Sequence, residues 1–227
     1  MVGHLDAGLD AGVSGGLQVL ELWRYPVKSL LGERLDRAEV ESHGIPGDRG
    51  RALVDPSTGE VLTARRVPDM LFATGRLRAD GDVEVVLPDG TVTADDAVLS
   101  AWAGRPVALR AAVDGAFHDE GADARLTLVS TGTLGGWDRR RFRPNVVLAG
   151  EGEDALVGSP VRLGTAVLDV VMPIPRCVMT TRPQAGGIGR DTSVLKTVHR
   201  ERGGDLAVGA RVTRSGGVAV GDVLTRV

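Results

Sequence analysis

The hydrophobic stretches of this chain are short, and glycine, proline or aspartate interrupts them at close intervals. The stretches richest in strand-forming residues are LQVLELWRY, RALVD, VEVVLPDGTV, PVALRAAV, ARLTLVS, NVVLAG, VRLGTAVLDVVM and RCVMTTR. Aliphatic and β-branched residues between turn-forming residues are typical of β-strands. Many short strands with little helix predict a barrel or a sandwich rather than a parallel α/β sheet.

Two segments have a helical pattern. The first is Ala94 to Ala103, opened by Asp95 and Asp96, and the second is Asp191 to Arg202, with Asp191 or Thr192 as the cap and Gly203 as the terminator. A hairpin turn is predicted at Pro88-Asp89-Gly90, where glycine suits a positive φ.

Composition excludes several classes of protein. Aromatic residues make up 3% of the chain, so the core must be aliphatic, and the net charge is -3 with the arginines dispersed, which argues against a nucleic-acid partner. The single cysteine cannot form an internal disulfide. Apolar runs are shorter than the roughly 20 residues of a membrane span, and the first residues do not resemble a signal peptide. The chain is therefore expected to be cytoplasmic.

The segment 1–16 is rich in Gly, Asp and Ala without apolar periodicity and is predicted to be a mobile tail. A polar, acidic stretch at 113–123 separates two strand-rich halves. The predicted units are therefore 17–115 and 116–227.

Four clusters carry residues suited to chemistry. They are YPVKS with Lys28 and Ser29, GIPGDRG with Asp48 and Arg49, RFRPN with Arg143 and Asn145, and PIPRCVMTT with Arg176 and Cys177. The first three also fit simple turns, a surface ion pair and the start of a strand. A strand that ends at proline and delivers a cation and a hydroxyl would suit an anion.

Cys177 lies beyond two prolines and next to Arg176, whose guanidinium favours a thiolate if the two meet in space. The alternative is an inert core cysteine. The four histidines lack partners at zinc-ligand spacing, no nucleotide-binding or nucleophile-elbow motif is present, and Gly186 to Gly189 is interpreted as a flexible loop.

The order of YPVKSLLG, GDRG, TARRVP, RFRPNVVL and PRCVMTT resembles the MOSC family, named for the C-terminal domain of molybdenum cofactor sulfurase, and in particular its branch with the mitochondrial amidoxime reducing component and bacterial relatives. The resemblance covers Leu17 to Val227. It implies a mainly β fold with few short helices, in which a β-barrel MOSC core packs against an N-terminal β-barrel-like domain. The closing VAVGDVL run resembles the family's terminal strand.

The resemblance also implies a molybdenum cofactor held between the two domains. Cys177 would ligate the metal and would be the catalytic residue. The cofactor would be bound by Lys28, Ser29, Arg49, Thr63, Arg65, Ser130, Thr131, Arg143, Asn145 and Arg176.

Two segments depart from the family pattern. The connection Thr133 to Arg141 is short and basic, which could change the substrate mouth, and the acidic stretch from Glu151 contains no tryptophan. The cysteines that would hold an iron–sulfur module are missing, so electrons would come from a separate flavin reductase, ferredoxin or cytochrome.

The resemblance therefore implies an oxidoreductase that reduces N-hydroxylated or related oxygenated small molecules. Sulfur transfer through a Cys177 persulfide, a non-catalytic cofactor carrier, and an unrelated β-barrel with an inert cysteine remain as alternatives.

Overall fold

The computed structural model describes residues 16–113, 115–119 and 124–227. The predicted tail therefore lies outside the described residues except for Gly16, as do residues 114 and 120–123 of the predicted boundary. The strands are β1 (Gln18–Arg24), β2 (Glu33–Leu35), β3 (Arg37–Val40), β4 (Arg51–Val54), β5 (Thr74–Leu77), β6 (Val83–Val86), β7 (Val92–Thr93), β8 (Ala108–Ala111), β9 (Leu126–Ser130), β10 (Val146–Ala149), β11 (Pro160–Leu163), β12 (Ala166–Pro175), β13 (Asp205–Arg214), β14 (Gly216–Ala219) and β15 (Thr225–Arg226). The α-helices are α1 (Asp96–Ala103), α2 (Thr131–Leu134) and α3 (Ser193–Arg202). Short 3-10 helices span Pro68–Phe72, Arg139–Arg141, Glu153–Leu156 and Val178–Thr181.

The largest sheet has eight strands in the order β15-β11-β12-β13-β9-β10-β1-β2. Its pairs are antiparallel except for β9 and β10, which run parallel. Register shifts interrupt the β12–β13 pairing at three places, and another lies in β1. Because an extra residue in one strand bends it and increases its twist, these shifts curl the sheet into a half-barrel.

Side chains alternate between the two faces of this sheet and supply two cores. In β10, Val146 and Leu148 join the larger core, whereas Val147 faces the opposite way. Helix α3 covers that opposite face with its buried Val194 and Val198. The period of two therefore places the helix on one side and the large aliphatic core on the other.

The remaining strands form smaller sheets: β4 with β8, β5-β6-β7, and β3 with β14. Residues 51–111, together with Val27 and Leu30, enclose a further aliphatic core, in which Leu53, Met70, Leu71 and Leu99 are fully buried. The mainly β architecture with few helices is thus confirmed.

Strands occur in seven of the quoted runs, and Gly90 has the expected positive φ of 89°. Helix α1 begins where Asp95 accepts hydrogen bonds from Ala97 and Val98, and α3 ends at Gly203. Of the two predicted caps of α3, Thr192 makes no side-chain cap bond, whereas Asp191 accepts from the Ser193 amide.

Two strand predictions are wrong. RCVMTTR ends in a 3-10 helix, because the Thr180 hydroxyl donates to the Cys177 carbonyl (3.0 Å) and the Thr181 hydroxyl to the Val178 carbonyl (2.8 Å). Such local bonds compete with sheet pairing. The VAVGDVL run is not one strand either, since β14 stops at Ala219 and Gly221 (φ 98°) turns the chain.

Pairing crosses between the two halves of the chain. Strands β1 and β3 pair with β10 and β14, which follow more than one hundred residues later. The boundary between 115 and 116 stays a prediction. No helix within the described ranges is long and apolar enough to span a membrane.

Candidate functional site

A cleft runs between residues of the N-terminal half and residues of the C-terminal half. Of the predicted site residues, those that line it are Lys28, Ser29, Arg49, Arg143, Arg176 and Cys177. Residues nearly 150 positions apart are thereby brought together on one concave surface.

Three of these residues have a left-handed backbone. The φ angles are 69° for Ser29, 52° for Arg49 and 54° for Arg143, and the only other described non-glycine residue with a positive φ is Ala207. Such conformations cost about 1–3 kcal/mol each and persist where the surrounding structure imposes them, often at functional sites. The cleft therefore concentrates backbone strain.

Two guanidinium groups of the cleft contact the Tyr25 ring. The Arg143 Cζ lies 4.3 Å and the Arg49 Cζ 5.1 Å from the ring centroid. Burial raises the pKa of the Tyr25 phenol to about 12, although the charges of Arg143 and Arg49 act in the opposite direction. Burial, reinforced by the charge of Arg49, lowers the pKa of Arg143 to about 10. Arg143 therefore remains cationic at neutral pH, and cation–π contacts place both guanidiniums against the same ring.

Asp48 contacts both Tyr25 and Arg49. It is buried, accepts a hydrogen bond from the Tyr25 amide (2.7 Å) and pairs with Arg49. The interpretation of Asp48 and Arg49 as a surface ion pair is therefore wrong, because the turn carries Asp48 inward. Arg49 in turn donates to the Arg143 carbonyl (3.2 Å), and Arg143 donates to the Leu30 carbonyl.

Lys28 is held by the segment that connects the two halves. Its ammonium donates to the Phe117 carbonyl (2.9 Å) and to the Asp119 carboxylate (2.5 Å). Burial raises the pKa of Asp119, but the hydrogen bond from Lys28 and the charges of Lys28 and Arg65 outweigh it, so the pKa lies below its ordinary value. Asp119 is thus an ionised partner at the edge of a cationic cleft.

Cys177 is half-buried and lies at the start of the 3-10 helix Val178–Thr181. The preceding Arg176 donates to the Leu206 carbonyl (2.6 Å) and to the Phe142 carbonyl (2.9 Å). Arg176 therefore ties the Cys177 segment to β13 and to the RFRPN segment.

Five predicted cofactor ligands do not line the cleft: Thr63, Arg65, Ser130, Thr131 and Asn145. Ser130 is fully buried and caps α2 through the Thr133 amide (3.1 Å), while Thr131 bonds Gly150. Asn145, also fully buried, accepts from the Thr127 amide (3.2 Å) and donates to the Trp23 carbonyl (3.2 Å). The Asn145 side-chain oxygen also accepts a hydrogen bond from the cleft residue Arg49 (3.4 Å).

Thr63 lies in a turn, where its carbonyl accepts from the Arg66 and Val67 amides (both 2.9 Å). The backbone carbonyl of the neighbouring Arg65 accepts a hydrogen bond from the Arg182 guanidinium (3.3 Å). The Arg65 charge nevertheless affects the cleft, because it helps to lower the pKa of Asp119.

Several residues that line the cleft were not predicted from the sequence. They include Phe117, Asp119, Arg141, Met179 and Thr180. Only Arg141, as the first residue of RFRPN, and Met179 and Thr180, next to Cys177, stood inside quoted motifs. No cluster of three His, Cys, Asp or Glu side chains suited to a metal occurs among the described residues.

Residues 16–110 match the MOSC N-terminal beta barrel domain, and residues 122–225 match the MOSC domain. Among solved structures, the chain aligns with the YUAD protein from Bacillus subtilis at a TM-score of 0.47 and 13% identity, covering 92% of this chain and 93% of that one. It also aligns with YiiM from Geobacillus stearothermophilus at a TM-score of 0.37 and 20% identity, covering 52% and 66%. No curated protein matches the chain.

Proposed function

The chain belongs to the MOSC family, with the N-terminal barrel domain followed by the MOSC domain, and on that premise we propose that it is a molybdenum-cofactor-binding oxidoreductase. Its substrates are N-hydroxylated or related oxygenated small molecules. The observation that carries the proposal is the convergence of three strained left-handed residues, Ser29, Arg49 and Arg143, on the cleft that contains Cys177.

The residues of the cleft fit such a cofactor. A pyranopterin carries a phosphate and many hydrogen-bonding groups, and cationic side chains bind phosphate through charge-assisted hydrogen bonds. The cleft contains Lys28 and the arginines at 49, 141, 143 and 176, although the chain as a whole has a net charge of -3. A local concentration of positive charge on an acidic protein attracts anions to that place.

Cys177 supplies the thiol of the cleft. A thiolate is a soft ligand, which suits a metal that already carries sulfur, and a bound cation keeps the thiol deprotonated. When bound, the cofactor supplies a metal that changes oxidation state while the substrate loses its oxygen. The chain's own residues bind and orient the cofactor.

The reaction requires two electrons and two protons. An N–OH group is reduced to N–H and its oxygen leaves as water. We propose that a separate flavin reductase, ferredoxin or cytochrome delivers the electrons.

The test compares the wild-type protein with Cys177→Ser. Molybdenum and pterin content, thermal stability and turnover of a panel of amidoximes, hydroxamic acids and sulfoxides are measured with a chemical electron donor. We expect stoichiometric molybdenum and turnover in the wild type. The serine variant should keep its fold and part of its pterin but lose activity, because a hydroxyl ionises poorly and is a harder ligand.

Lys196→Ser is the matched control, since this exposed residue lies on α3 outside the cleft. Full turnover and an unaltered molybdenum spectrum in Cys177→Ser would refute the assignment of Cys177. Bound pterin without turnover of any substrate would favour a cofactor carrier instead.

A further inference from the structure

The backbone carbonyls from Cys177 to Arg182 can be accounted for one by one. The Cys177 carbonyl accepts from the Thr180 amide (3.1 Å) and hydroxyl (3.0 Å). Those of Val178 and Met179 accept from the Thr181 hydroxyl (2.8 Å) and the Arg182 amide (3.1 Å). These bonds lie within the turn itself and define the short 3-10 helix after Cys177.

The remaining carbonyls depend on groups from outside the turn. The Thr181 carbonyl accepts from the Asp191 amide (3.0 Å). Arg141 donates through Nη1 to the carbonyls of Thr180 (3.0 Å) and Arg182 (3.4 Å). Its Nη2 donates to the Gly189 carbonyl (2.8 Å) on the returning side of the same loop. A single guanidinium thus joins the two sides of the loop that carries Cys177.

The planar fork of an arginine suits this task because it presents several donors in fixed directions. Without it, the carbonyls of Thr180 and Arg182 would lose their donor at the end of the 3-10 helix. Arg176 already fixes the chain before Cys177 through the carbonyls of Leu206 and Phe142. The chain is therefore anchored by the Arg176 guanidinium just before Cys177 and by the Arg141 guanidinium just after it.

We propose that Arg141 is a positioning residue that holds the Cys177 turn, and with it the thiol, in place at the cleft. The role of this positioning rests on the proposed function, because a metal ligand must be presented in a defined position. The anchoring itself is a property of the cofactor-free protein. A substrate-binding role for the short basic connection is not needed to explain this arginine.

The test uses the chain's single cysteine as a reporter. The rate at which iodoacetamide alkylates Cys177 is measured in cofactor-free wild type, Arg141→Gln, Arg141→Lys and Arg139→Gln. Arg139 is a matched control from the same 3-10 helix, because its guanidinium pairs with Glu21 and stacks 4.3 Å from the Trp23 ring, away from the Cys177 turn. We expect Arg141→Gln to be alkylated about fivefold faster, the factor that corresponds to about 1 kcal/mol of local stability.

Arg141→Lys should fall between wild type and Arg141→Gln, because an ammonium keeps a donor but not the fork. Arg139→Gln should match the wild type in alkylation even if its melting temperature falls. Equal rates in wild type and Arg141→Gln, or equal acceleration in the control, would overturn the positioning role. Because this readout needs no metal, it can fail while molybdenum binding holds, and it can succeed if molybdenum is never found.

In cofactor-loaded protein, Arg141→Gln should lower the pterin content, because it removes one cation of the cleft, and should change the spectrum of the molybdenum that stays bound. Arg139→Gln should change neither. A wild-type spectrum in Arg141→Gln would count against the proposal.

Discussion

Ser29, Arg49 and Arg143 share a backbone conformation that suits glycine better than a side chain. For an L-residue the left-handed region costs roughly 1–2 kcal/mol, and all three side chains line the same cleft. Glycine would relieve this cost at each position, yet a hydroxyl and two guanidiniums are present. The side chains are therefore retained at a cost in stability, as expected where binding rather than folding determines the residue.

Ser29 allows the strain to be separated from the hydroxyl. It is 5% exposed, with a φ of 69°. Ser29→Ala keeps the strain and removes the hydroxyl, whereas Ser29→Gly removes both. We expect the glycine variant to be more stable than the alanine variant by about 1 kcal/mol in denaturant unfolding, while both lose cofactor affinity.

The alanine variant is the matched control, since it differs from glycine by one methyl group. A glycine variant no more stable than the alanine variant would show that the conformation at Ser29 is not strained. Wild-type pterin content in both variants would show that the hydroxyl does not bind the cofactor.

At the scale of elements, the short segment 115–119 lies between the two halves and lines part of the cleft with Phe117 and Asp119. The Phe117 amide donates to the Arg49 carbonyl (2.9 Å), and the Phe117 carbonyl accepts from Lys28. Between Phe117 and Asp119 lies His118, whose Nε2 is buried without a hydrogen-bond partner. Burial, assisted by the charge of Arg49, lowers the pKa of His118 from 6.5 to about 4.

This histidine makes stability depend on pH. The unfolded chain takes up the proton near pH 6.5 and the folded protein only near pH 4. The contribution of neutral His118 is fully present above pH 6.5 and is lost as the pH falls towards 4, by about 3 kcal/mol in all. Measured by denaturant unfolding, the free energy of unfolding of His118→Gln should fall less between pH 6.5 and 4 than that of the wild type.

His43→Gln provides the control, because His43 is an exposed histidine of the same half. It should follow the wild-type curve. If His118→Gln and the wild type lose stability in parallel between pH 6.5 and 4, His118 is not buried in its neutral form.

The sequence predicted most strands, α1 and α3, because their period, caps and terminal glycines are local signals. It did not predict the 3-10 helix after Cys177, because hydroxyl-to-carbonyl bonds outweighed the strand propensity of valine and threonine. It also missed the role of Arg141, whose partner carbonyls lie 39, 41 and 48 residues further along the chain. Proline and glycine motifs indicated much of the cleft, whereas contacts between distant loops left no local pattern.

At the scale of the whole molecule, the two halves share one sheet. Strand β1 pairs with β10 on one side and β2 on the other, and β3 pairs with β14. Buried residues from the first 45 positions, Leu17, Val19, Leu22, Val40 and Ile45, belong to the same core as those of β12 and β13. Each contributes about 1.5–3 kcal/mol by burial, so together they match the whole stability of a typical domain.

A fragment of residues 116–227 should therefore not fold alone. We expect it to lack a cooperative thermal transition by circular dichroism, because its core would be incomplete and β10 would become an unpaired edge. Co-expression with 17–115 should restore the transition. A fragment that melts cooperatively within a few degrees of the full chain would show that the shared sheet is dispensable.

The shared sheet also sets the order of events when the chain is made. Gln18 leaves the ribosome 131 residues before its partner Ala149. At roughly 5–20 residues per second this is a wait of about 7 to 26 s. Throughout that time β1 has only β2 to pair with, and Val19 and Leu22 lack the core they join in the folded protein, so the nascent chain exposes an apolar strand that chaperones can bind. Residues 51–111, which share a core with Val27 and Leu30, can condense during the wait, whereas the cleft is completed only after residues 174–180 have also been made.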